Sequence, residues 1–247
     1  MRTPLGGGTG CVCLPIVVQL LELFDKLSAI FAIVSKENTM PTLLVIKASL
    51  FGSNGQSTQL ADAFTARWRE HYPDGTVLCR DLAAEPLPHL DLEAFTGFQA
   101  EAASRTASQQ ASLAISDALI AELKQADAVV LGLPMYNFTV PSTLKAWMDH
   151  VARAGVTFRY TESGPRGLLE TGPLYVFCAR GGQYSGTEND TQTRLIELFF
   201  GMLGFSDIHF TYAEGLALGE ASADHARQRA GEHLAQLPLK VRGENHG

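Results

Sequence analysis

The sequence GLPMYNFTVPSTLKAWMDHV occupies residues 132–151 and joins an apolar run to an amphipathic segment. Residues 128–133 (AVVLGL) predict a buried strand, and residues 142–153 predict a helix with apolar side chains at helical spacing. The turn between them carries one amide and three large, mostly apolar side chains: Asn137, Met135, Tyr136 and Phe138. Turns that only redirect the chain are usually built from Gly, Asp, Asn and Ser. These four side chains are therefore candidates for contact with a ligand.

The alternation of apolar strand and amphipathic helix repeats along the chain. Further strands are predicted at residues 43–48, 76–82, 173–179 and 205–213. Helices are predicted at residues 58–71, 191–203 and 221–237, and Thr106-Ala-Ser-Gln109 fits a capping box that begins another helix, whereas residues 91–105 are ambiguous. Unbroken apolar strands between amphipathic helices are typical of a parallel sheet covered on both faces. The sequence thus predicts an α/β fold with a doubly wound, five-stranded parallel sheet.

Charge and cysteine usage exclude several classes of protein. The formal net charge is −7 and no run of Lys or Arg stands out, which argues against a nucleic-acid partner. The four cysteines show neither a paired metal-binding spacing nor a secreted disulfide framework: Cys11, Cys13, Cys79 and Cys178. We therefore expect no metal site and a cytoplasmic, reducing location.

The first forty residues differ from the rest. They contain GGGTG at residues 6–10, and the apolar stretch 11–34 is interrupted by charged residues and a proline. This pattern suits neither a spanning helix nor a signal peptide, so stable membrane insertion is not expected. We interpret residues 1–40 as a poorly ordered or partly helical extension upstream of a natural initiator at Met40. A peripheral membrane or docking helix is the alternative. The main domain is expected at residues 41–240, followed by a tail at 241–247.

In a doubly wound sheet, ligands bind outside the carboxyl ends of the strands, where the strand order reverses. Loop one, residues 49–57, lacks both the G-x-x-x-x-G-K-[ST] and the G-x-G-x-x-G patterns. It is rich in Ser, Gly and Asn and opens a helix near Ser57, so backbone N–H groups could hold a phosphate there without Lys or Arg. The alternative is ordinary capping of the helix by Ser57.

Two further loops complete this sheet edge. In loop two, residues 134–141, the Asn137 amide offers a donor and an acceptor to a flat ring that carries an imide; the alternative is that the apolar side chains plug the sheet end. In loop three, residues 178–186 (CARGGQYSG), Gly181 and Gly182 permit positive φ and close backbone approach; the alternative is a plain glycine turn. Together the three loops favour a phosphorylated tricyclic ligand such as FMN.

Several motifs occur in the order found in one known family. PMYNF at residues 134–138, Leu144-Lys145 and DHVARAGVTFRYTESGPRGLL at 149–169 resemble the FMN-dependent NADH-azoreductases, also called FMN-dependent NADH:quinone oxidoreductases. ARGG at 179–182 and GFSDIHFTYAEG at 204–215 continue the resemblance, which covers residues 42–237 but not 1–40. The resemblance implies a flavodoxin-like fold, a homodimer, and FMN bound tightly but non-covalently between subunits.

The resemblance also implies the residues that contact the cofactor. They are Ser49, Gly55, Gln56, Ser57, Met135, Tyr136, Asn137, Phe138, Ala179, Arg180, Gly181 and Gly182. Gly55 and Ala179 depart from the family, which often has Ser at both positions, so here only a backbone N–H is left for contact. Tyr160 matches a family aromatic that reaches the flavin of the partner; a core or interface tyrosine is the alternative.

The implied activity is transfer of hydride from NADH and then of two electrons, in a ping-pong scheme, to quinones and aromatic azo compounds. FMN carries the chemistry, so no nucleophile or triad is expected. Residues 157–169 are expected to roof the substrate slot. A flavodoxin-type electron carrier without its own small-molecule acceptor is the alternative. A phosphoacceptor signalling domain is disfavoured because acidic residues are absent from the ends of strands one and three. A flavin-free interaction protein is a further alternative, and it would be colourless when purified.

Other titratable residues near the predicted site receive structural interpretations. We expect a solvated His150 and an ion pair between Asp149 and Arg153 on the outer face of their helix. Cys178 is expected to be a buried, inert thiol and Glu214 a cap or interface residue. Arg180 could either contact a nicotinamide phosphate or brace its loop.

We expect a chain that begins at Met40 to keep its fold and its flavin, because every motif described above lies between residues 42 and 237. Far-UV circular dichroism and the ratio of flavin to protein absorbance would be compared for the shortened and full-length chains. Loss of the fold on removal of residues 1–39 would contradict the interpretation of that segment as an extension.

Overall fold

The computed structural model describes residues 40–244 of the 247-residue chain. The interpretation of residues 1–40 as an extension therefore falls, except for Met40, outside the described residues. The domain boundaries assigned from the sequence remain a prediction.

A five-stranded parallel sheet forms the centre of the described region. Its strands are β1 (Thr42–Lys47), β2 (Thr76–Asp81), β3 (Ala128–Pro134), β6 (Leu174–Arg180) and β7 (Ile208–Glu214). The order β2-β1-β3-β6-β7 reverses between β1 and β3, and all four pairings are parallel. The prediction of a doubly wound, flavodoxin-like sheet is confirmed.

The described chain contains six α-helices, five between strands and one after the last strand. They are α1 (Gln56–His71), α2 (Leu92–Gln99), α3 (Ala107–Gln125), α4 (Ser142–Val151), α5 (Thr191–Leu203) and α6 (Glu220–Gln236). The capping box that begins α3 is confirmed, since Thr106 Oγ1 accepts from Gln109 N at 3.1 Å and Gln109 Oε1 accepts from Thr106 N at 3.0 Å. The ambiguous residues 91–105 contain α2, whose first turn is capped by Asp91.

The helices cover both faces of the sheet, as predicted. On one face α1 and α6 pack over the central strands, with Phe64 between the rings of Tyr175 and Phe177 at 4.4 and 5.5 Å. On the other face α3, α4 and α5 enclose a second cluster that includes Trp147 and Phe200. The inward positions predicted for α4 are confirmed: Leu144, Trp147, Met148 and Val151 are all buried.

The last strand begins later than predicted. Phe205 was assigned to a strand at residues 205–213, but β7 starts at Ile208. Phe205 instead packs edge-on against Phe200, with ring centroids 5.2 Å apart, in the turn that follows α5. Its apolar character reflects this contact with the helix and not a place in the sheet. The other predicted boundaries differ from the observed ones by one or two residues.

Residues 157–169, for which no secondary structure was predicted, contain an antiparallel hairpin of β4 (Phe158–Thr161) and β5 (Gly164–Gly167). The base of the hairpin lies against the end of α5, where a Cβ atom added to Gly167 would overlap the backbone of Leu203 and Gly204. A hydrogen bond of 3.3 Å from Leu169 N to Leu203 O also joins the base of the hairpin to the end of α5. The glycine at position 167 is thus required by close packing.

His150 is buried, so the prediction of a solvated histidine was wrong. It is 1% exposed, its Nε2 lies 2.9 Å from Pro88 O, and its ring contacts Phe98 of α2. The face of α4 that carries His150 is covered by α2 and by the segment that precedes α2. The ambiguous sequence pattern of residues 91–105 did not indicate that a helix would cover this face.

The predicted ion pair between Asp149 and Arg153 was also wrong. Asp149 pairs with Lys145 one turn earlier, at 2.5 Å, and Arg153 reaches across to Asp117 of α3. Because α4 ends at Val151, Arg153 lies beyond the helix and is not held one helical turn from Asp149.

A search of the helices between residues 40 and 244 found none with the length and apolar character needed to cross a bilayer.

We expect Phe64→Ala to lower the free energy of unfolding of the flavin-free protein by about 3–5 kcal/mol, because it removes a fully buried ring between two aromatic neighbours. Glu70→Ala, at an exposed position of the same helix, should change it by less than about 0.5 kcal/mol. Urea denaturation followed by circular dichroism measures both. Equal effects of the two substitutions would contradict the packing described here.

Candidate functional site

Loops one, two and three meet at the carboxyl ends of β1, β3 and β6, next to the point where the strand order reverses. They enclose a cleft of about 340 Å³. Eight predicted cofactor residues line it: Ser49, Gly55, Gln56, Met135, Tyr136, Ala179, Arg180 and Gly181. Four further lining residues were not foreseen from the sequence: Phe51, Asn54, Pro134 and Leu216. The other predicted residues, Ser57, Asn137, Phe138 and Gly182, lie in the same three loops but do not line this cleft.

One end of the cleft is the beginning of α1. The helix starts at Gln56 directly after Gly55, and no side chain caps it. Ser57 therefore lies inside the first turn, which makes the alternative of ordinary capping by Ser57 wrong. Its hydroxyl is buried and has no hydrogen-bond partner in the described chain, and the same holds for Thr58 Oγ1. Free N–H groups and unpartnered hydroxyls at a helix N-terminus favour an anion.

Gly55 leaves room for the Ser49 side chain. A Cβ atom added to Gly55 would lie 2.6 Å from Ser49 Cβ, so no larger residue fits unless Ser49 moves. Ser49 is 2% exposed, and its Oγ accepts from Phe51 N at 3.3 Å and lies 3.4 Å from the Tyr136 hydroxyl. That hydroxyl also accepts from Leu50 N at 3.2 Å. Loops one and two are joined through these contacts.

Loop two contains a tight turn with an unusual backbone. Tyr136 and Thr139 exchange two backbone hydrogen bonds of 3.1 and 3.0 Å. Between them, Asn137 and Phe138 have φ values of +50° and +61°. Asn tolerates this left-handed conformation, but a bulky residue such as Phe rarely adopts it. Such strain persists only where the surroundings impose it, and it clusters at ligand sites.

The carbonyl groups of residues 180–182 hold loop three in place, while the amides of its two adjacent glycines are free. The carbonyl oxygens of Arg180, Gly181 and Gly182 accept from Leu216, Ala217 and Gly215 at 3.2, 3.0 and 2.8 Å. Within the described residues the N–H groups of the two glycines have no acceptor, so they are available to a ligand.

Gly181 and Gly182 do not use the positive φ that glycine permits, and in loop three only Gly186 has one. These two glycines serve close packing. A Cβ on Gly182 would lie 2.6 Å from the Tyr184 ring, and one on Gly181 would lie 3.3 Å from Ala217 Cβ.

Arg180 braces loop three from below. Its side chain is fully buried and pairs with Asp190 at 2.8 Å and Glu214 at 2.9 Å, while its guanidinium lies 4.9 Å from the centre of the Tyr212 ring. Glu214 Oε1 also accepts from the N–H groups of Tyr184 and Ser185, at 3.0 and 2.9 Å. Of the two roles considered for Arg180, the structure shows the bracing one, and Glu214 caps the loop.

Burial and charge set the protonation of this cluster. Burial alone would raise the pKa of Asp190, but hydrogen bonds from Arg180 and Thr193 outweigh it and hold the pKa below its usual range. Burial raises the pKa of the Cys178 thiol to about 12. Cys178 is fully buried, as predicted, and its thiol remains protonated and unreactive at neutral pH.

A second cavity of about 890 Å³ lies on the other side of Phe51, Met135 and Tyr136, and Asn137 lines it. Residues 157–169 line neither cavity, so the prediction that they roof a slot was wrong for a single chain. Tyr160, in β4, is 76% exposed and borders a separate cavity of about 290 Å³ with Phe95 and Phe98.

The sheet order and the cleft at its reversal point define a flavodoxin-like protein. Residues 41–237 match the Flavodoxin_2 family, described as having a flavodoxin-like fold. An FMN-dependent NADH:quinone oxidoreductase of Cellvibrio japonicus is 54% identical over 191 residues, which cover 75% of this chain and 96% of that protein. Its counterpart in Alcanivorax borkumensis is 55% identical over 178 residues, covering 72% and 90%.

A solved structure is similar as well. The azoreductase from Bacillus anthracis str. Sterne superposes with a TM-score of 0.73 at 28% identity, over 80% of this chain and 98% of that one. The chain therefore belongs to the Flavodoxin_2 family, within the group of FMN-dependent NADH:quinone oxidoreductases.

We expect Arg180→Leu to lower the free energy of unfolding at neutral pH by about 3–5 kcal/mol, because two buried carboxylates lose their partner. The pKa of Asp190 is lower in the folded protein than in the unfolded chain. The ionised carboxylate therefore stabilises the fold above the unfolded-state pKa, and this stabilisation is lost as the pH falls through the folded-state pKa. The difference in unfolding free energy between wild type and Arg180→Leu should therefore become smaller as the pH is lowered.

Urea denaturation across a pH series measures this difference. Arg194→Leu is the control, since its pair with Glu197 is exposed and 3.8 Å long; it should cost less than about 1 kcal/mol at every pH. If the difference in unfolding free energy between wild type and Arg180→Leu stayed constant with pH, the charge pairing would not be the cause of the lost stability.

Proposed function

We propose that the protein is an FMN-dependent oxidoreductase that takes electrons from NADH and delivers them in pairs, by a ping-pong scheme, to quinones and aromatic azo compounds. The relatives named above carry these activities in their names. The observation in this chain that supports the proposal most directly is the presence of two features around one cleft. One is the uncapped start of α1 at Gln56, next to the unpartnered, buried hydroxyl of Ser57; the other is the free amide of Gly181, next to that of Gly182.

The helix start fits the phosphate of FMN. The N–H groups of the first turn of α1 and the hydroxyl of Ser57 supply donors, and α1 has no acidic residue in its first turn to repel an anion. Gly55 contributes only backbone. The buried hydroxyl of Ser57 would gain the partner that it lacks in the protein alone, which stabilises the bound state because an unpartnered buried polar group is costly.

Loops two and three fit the ring system. Residues 135–138 would form the flat wall, and the amide of Asn137 would meet polar atoms at the ring edge. The N–H groups of Gly181 and Gly182 would face a carbonyl oxygen of the ring, where donors stabilise added negative charge. Bound FMN supplies the ability to accept and release two electrons; the protein orients it and shapes the space beside it.

We propose a homodimer in the cytoplasm. Leu92, Phe95 and Tyr160 are 77%, 49% and 76% exposed, and an apolar surface of this kind is typical of a contact between subunits. In such a dimer Tyr160, on the projecting hairpin, would reach the flavin of the other subunit. Cys79 and Cys178 are free thiols, which agrees with a reducing compartment.

An electron carrier of the flavodoxin type is the competing function. Residues 157–169 do not argue against this function, because within one chain they line neither cavity. The 890 Å³ cavity does argue against it, since it adjoins the FMN cleft through three shared residues and gives a flat acceptor room to enter.

The decisive experiment is an absorption spectrum of the purified protein, followed by NADH addition without oxygen. A yellow protein that bleaches with NADH and recovers with a quinone, turning over repeatedly, supports the proposal. A yellow protein without steady NADH–quinone turnover would favour the carrier. A colourless protein that takes up no added FMN would exclude both.

We expect Asn137→Ala and Asn137→Gly to separate two roles of this residue. Glycine tolerates φ of +50°, so Asn137→Gly removes only the amide, whereas Asn137→Ala also strains the turn. Both should weaken FMN binding or quinone turnover, and alanine should weaken them more. Fluorescence titration with FMN and steady-state rates are the measurements. Unchanged values in both variants would remove Asn137 from the site.

A further inference from the structure

Gln192, the second residue of α5, lies fully buried beneath loop two. Its Nε2 donates to Pro134 O at 2.9 Å and to Thr139 O at 3.0 Å. Pro134 ends β3, and Thr139 closes the tight turn that begins at Tyr136. One side-chain amide thus holds both ends of the segment that contains the proposed ring wall.

The other atom of the same amide connects loop two to loop three. Gln192 Oε1 accepts from Arg180 Nε at 3.3 Å, and Arg180 directly precedes Gly181 and Gly182. The orientation of the amide is fixed by its partners, because the two carbonyl groups can only accept and the guanidinium can only donate.

The segment that Gln192 holds is the strained one. Asn137 and Phe138 both have positive φ, a conformation that costs free energy and needs support from surrounding contacts. A second bond comes from the neighbouring residue of α5, since Thr191 Oγ1 donates to Phe138 O. The start of α5 therefore supports the turn at Pro134, Phe138 and Thr139.

We infer that Gln192 is a positioning residue for the flavin: it keeps the turn at residues 135–138, with its left-handed Asn137 and Phe138, formed before the cofactor arrives, so that FMN binds a preformed wall. This inference rests on the proposed FMN site. Gln192 itself lies outside the lining of the cleft, and it acts through the carbonyl groups that it holds.

The size of the effect follows from the population of the competent turn. When only a fraction of the protein has the binding-competent conformation, the apparent dissociation constant rises by the inverse of that fraction. A turn that is correctly formed about one-tenth of the time would weaken FMN binding about tenfold.

The test compares Gln192→Glu with Thr193→Val in the full-length chain. Gln192→Glu keeps the shape and an acceptor for Arg180, but it places a carboxylate opposite two carbonyl oxygens and so removes the hold on loop two. Thr193 is the next residue of the same helix, and its hydroxyl contacts Asp190, Arg180 and Tyr212 but not loop two. It is the matched control for general damage to the buried cluster.

Two measurements separate positioning from stability. Hydrogen exchange of residues 135–139 in the flavin-free protein reports the turn directly, and titration with FMN gives the dissociation constant. We expect faster exchange and about tenfold weaker FMN binding in Gln192→Glu only. Thr193→Val should leave exchange and FMN binding within about twofold of wild type even as its unfolding free energy falls.

The inference would be overturned if Gln192→Glu showed the same exchange rates and FMN dissociation constant as wild type. It would also be overturned if Thr193→Val changed both quantities as much as Gln192→Glu does. A wild-type chain that binds no FMN would overturn the proposed function and the flavin part of this inference together. The exchange comparison would still decide whether Gln192 holds the turn.

Discussion

The buried guanidinium of Arg180 is the interaction on which the functional end of the sheet depends. Removing a charge from water is costly, and the cost is offset only where partners satisfy the group with good geometry. Asp190 and Glu214 supply those partners from the start of α5 and the end of β7. Because Asp190 also caps α5 and Glu214 also caps loop three, the two ion pairs of Arg180 fix the relative positions of α5, the end of β7 and loop three.

Elements with a strong local pattern could be predicted from the sequence. Unbroken apolar strands, apolar stripes on helices and the capping box at Thr106 each follow from short-range physics, and each appeared as expected. Within the site, the loops were found because parallel strands bring their carboxyl ends to one edge, and the resemblance named residues within them. The hairpin at residues 158–167 was not predicted because β4 (FRYT) is only four residues long and its partner β5 (GPRG) consists mainly of Gly and Pro, which are depleted in strands.

Features set by long-range contact were the ones that sequence reasoning missed. His150 is buried because α2 covers it, and Gln192 matters because its amide contacts both loop two and loop three. Neither arrangement leaves a local pattern. The two glycines of loop three illustrate the same limit: a glycine shows that something requires it, but whether the reason is a positive φ or a close neighbour depends on atoms elsewhere in the fold.

The hairpin that carries Tyr160 is fixed at one end and free at the other. Its base is locked by the contact between Gly167 and Gly204, where not even a methyl group fits, while its tip at residues 161–164 is largely solvent-exposed. Substitutions at the tip should therefore leave the packing at the base unchanged, whereas a side chain at position 167 would displace the end of α5. Designers could exploit this by exchanging tip residues to change what the hairpin touches, with little risk to folding.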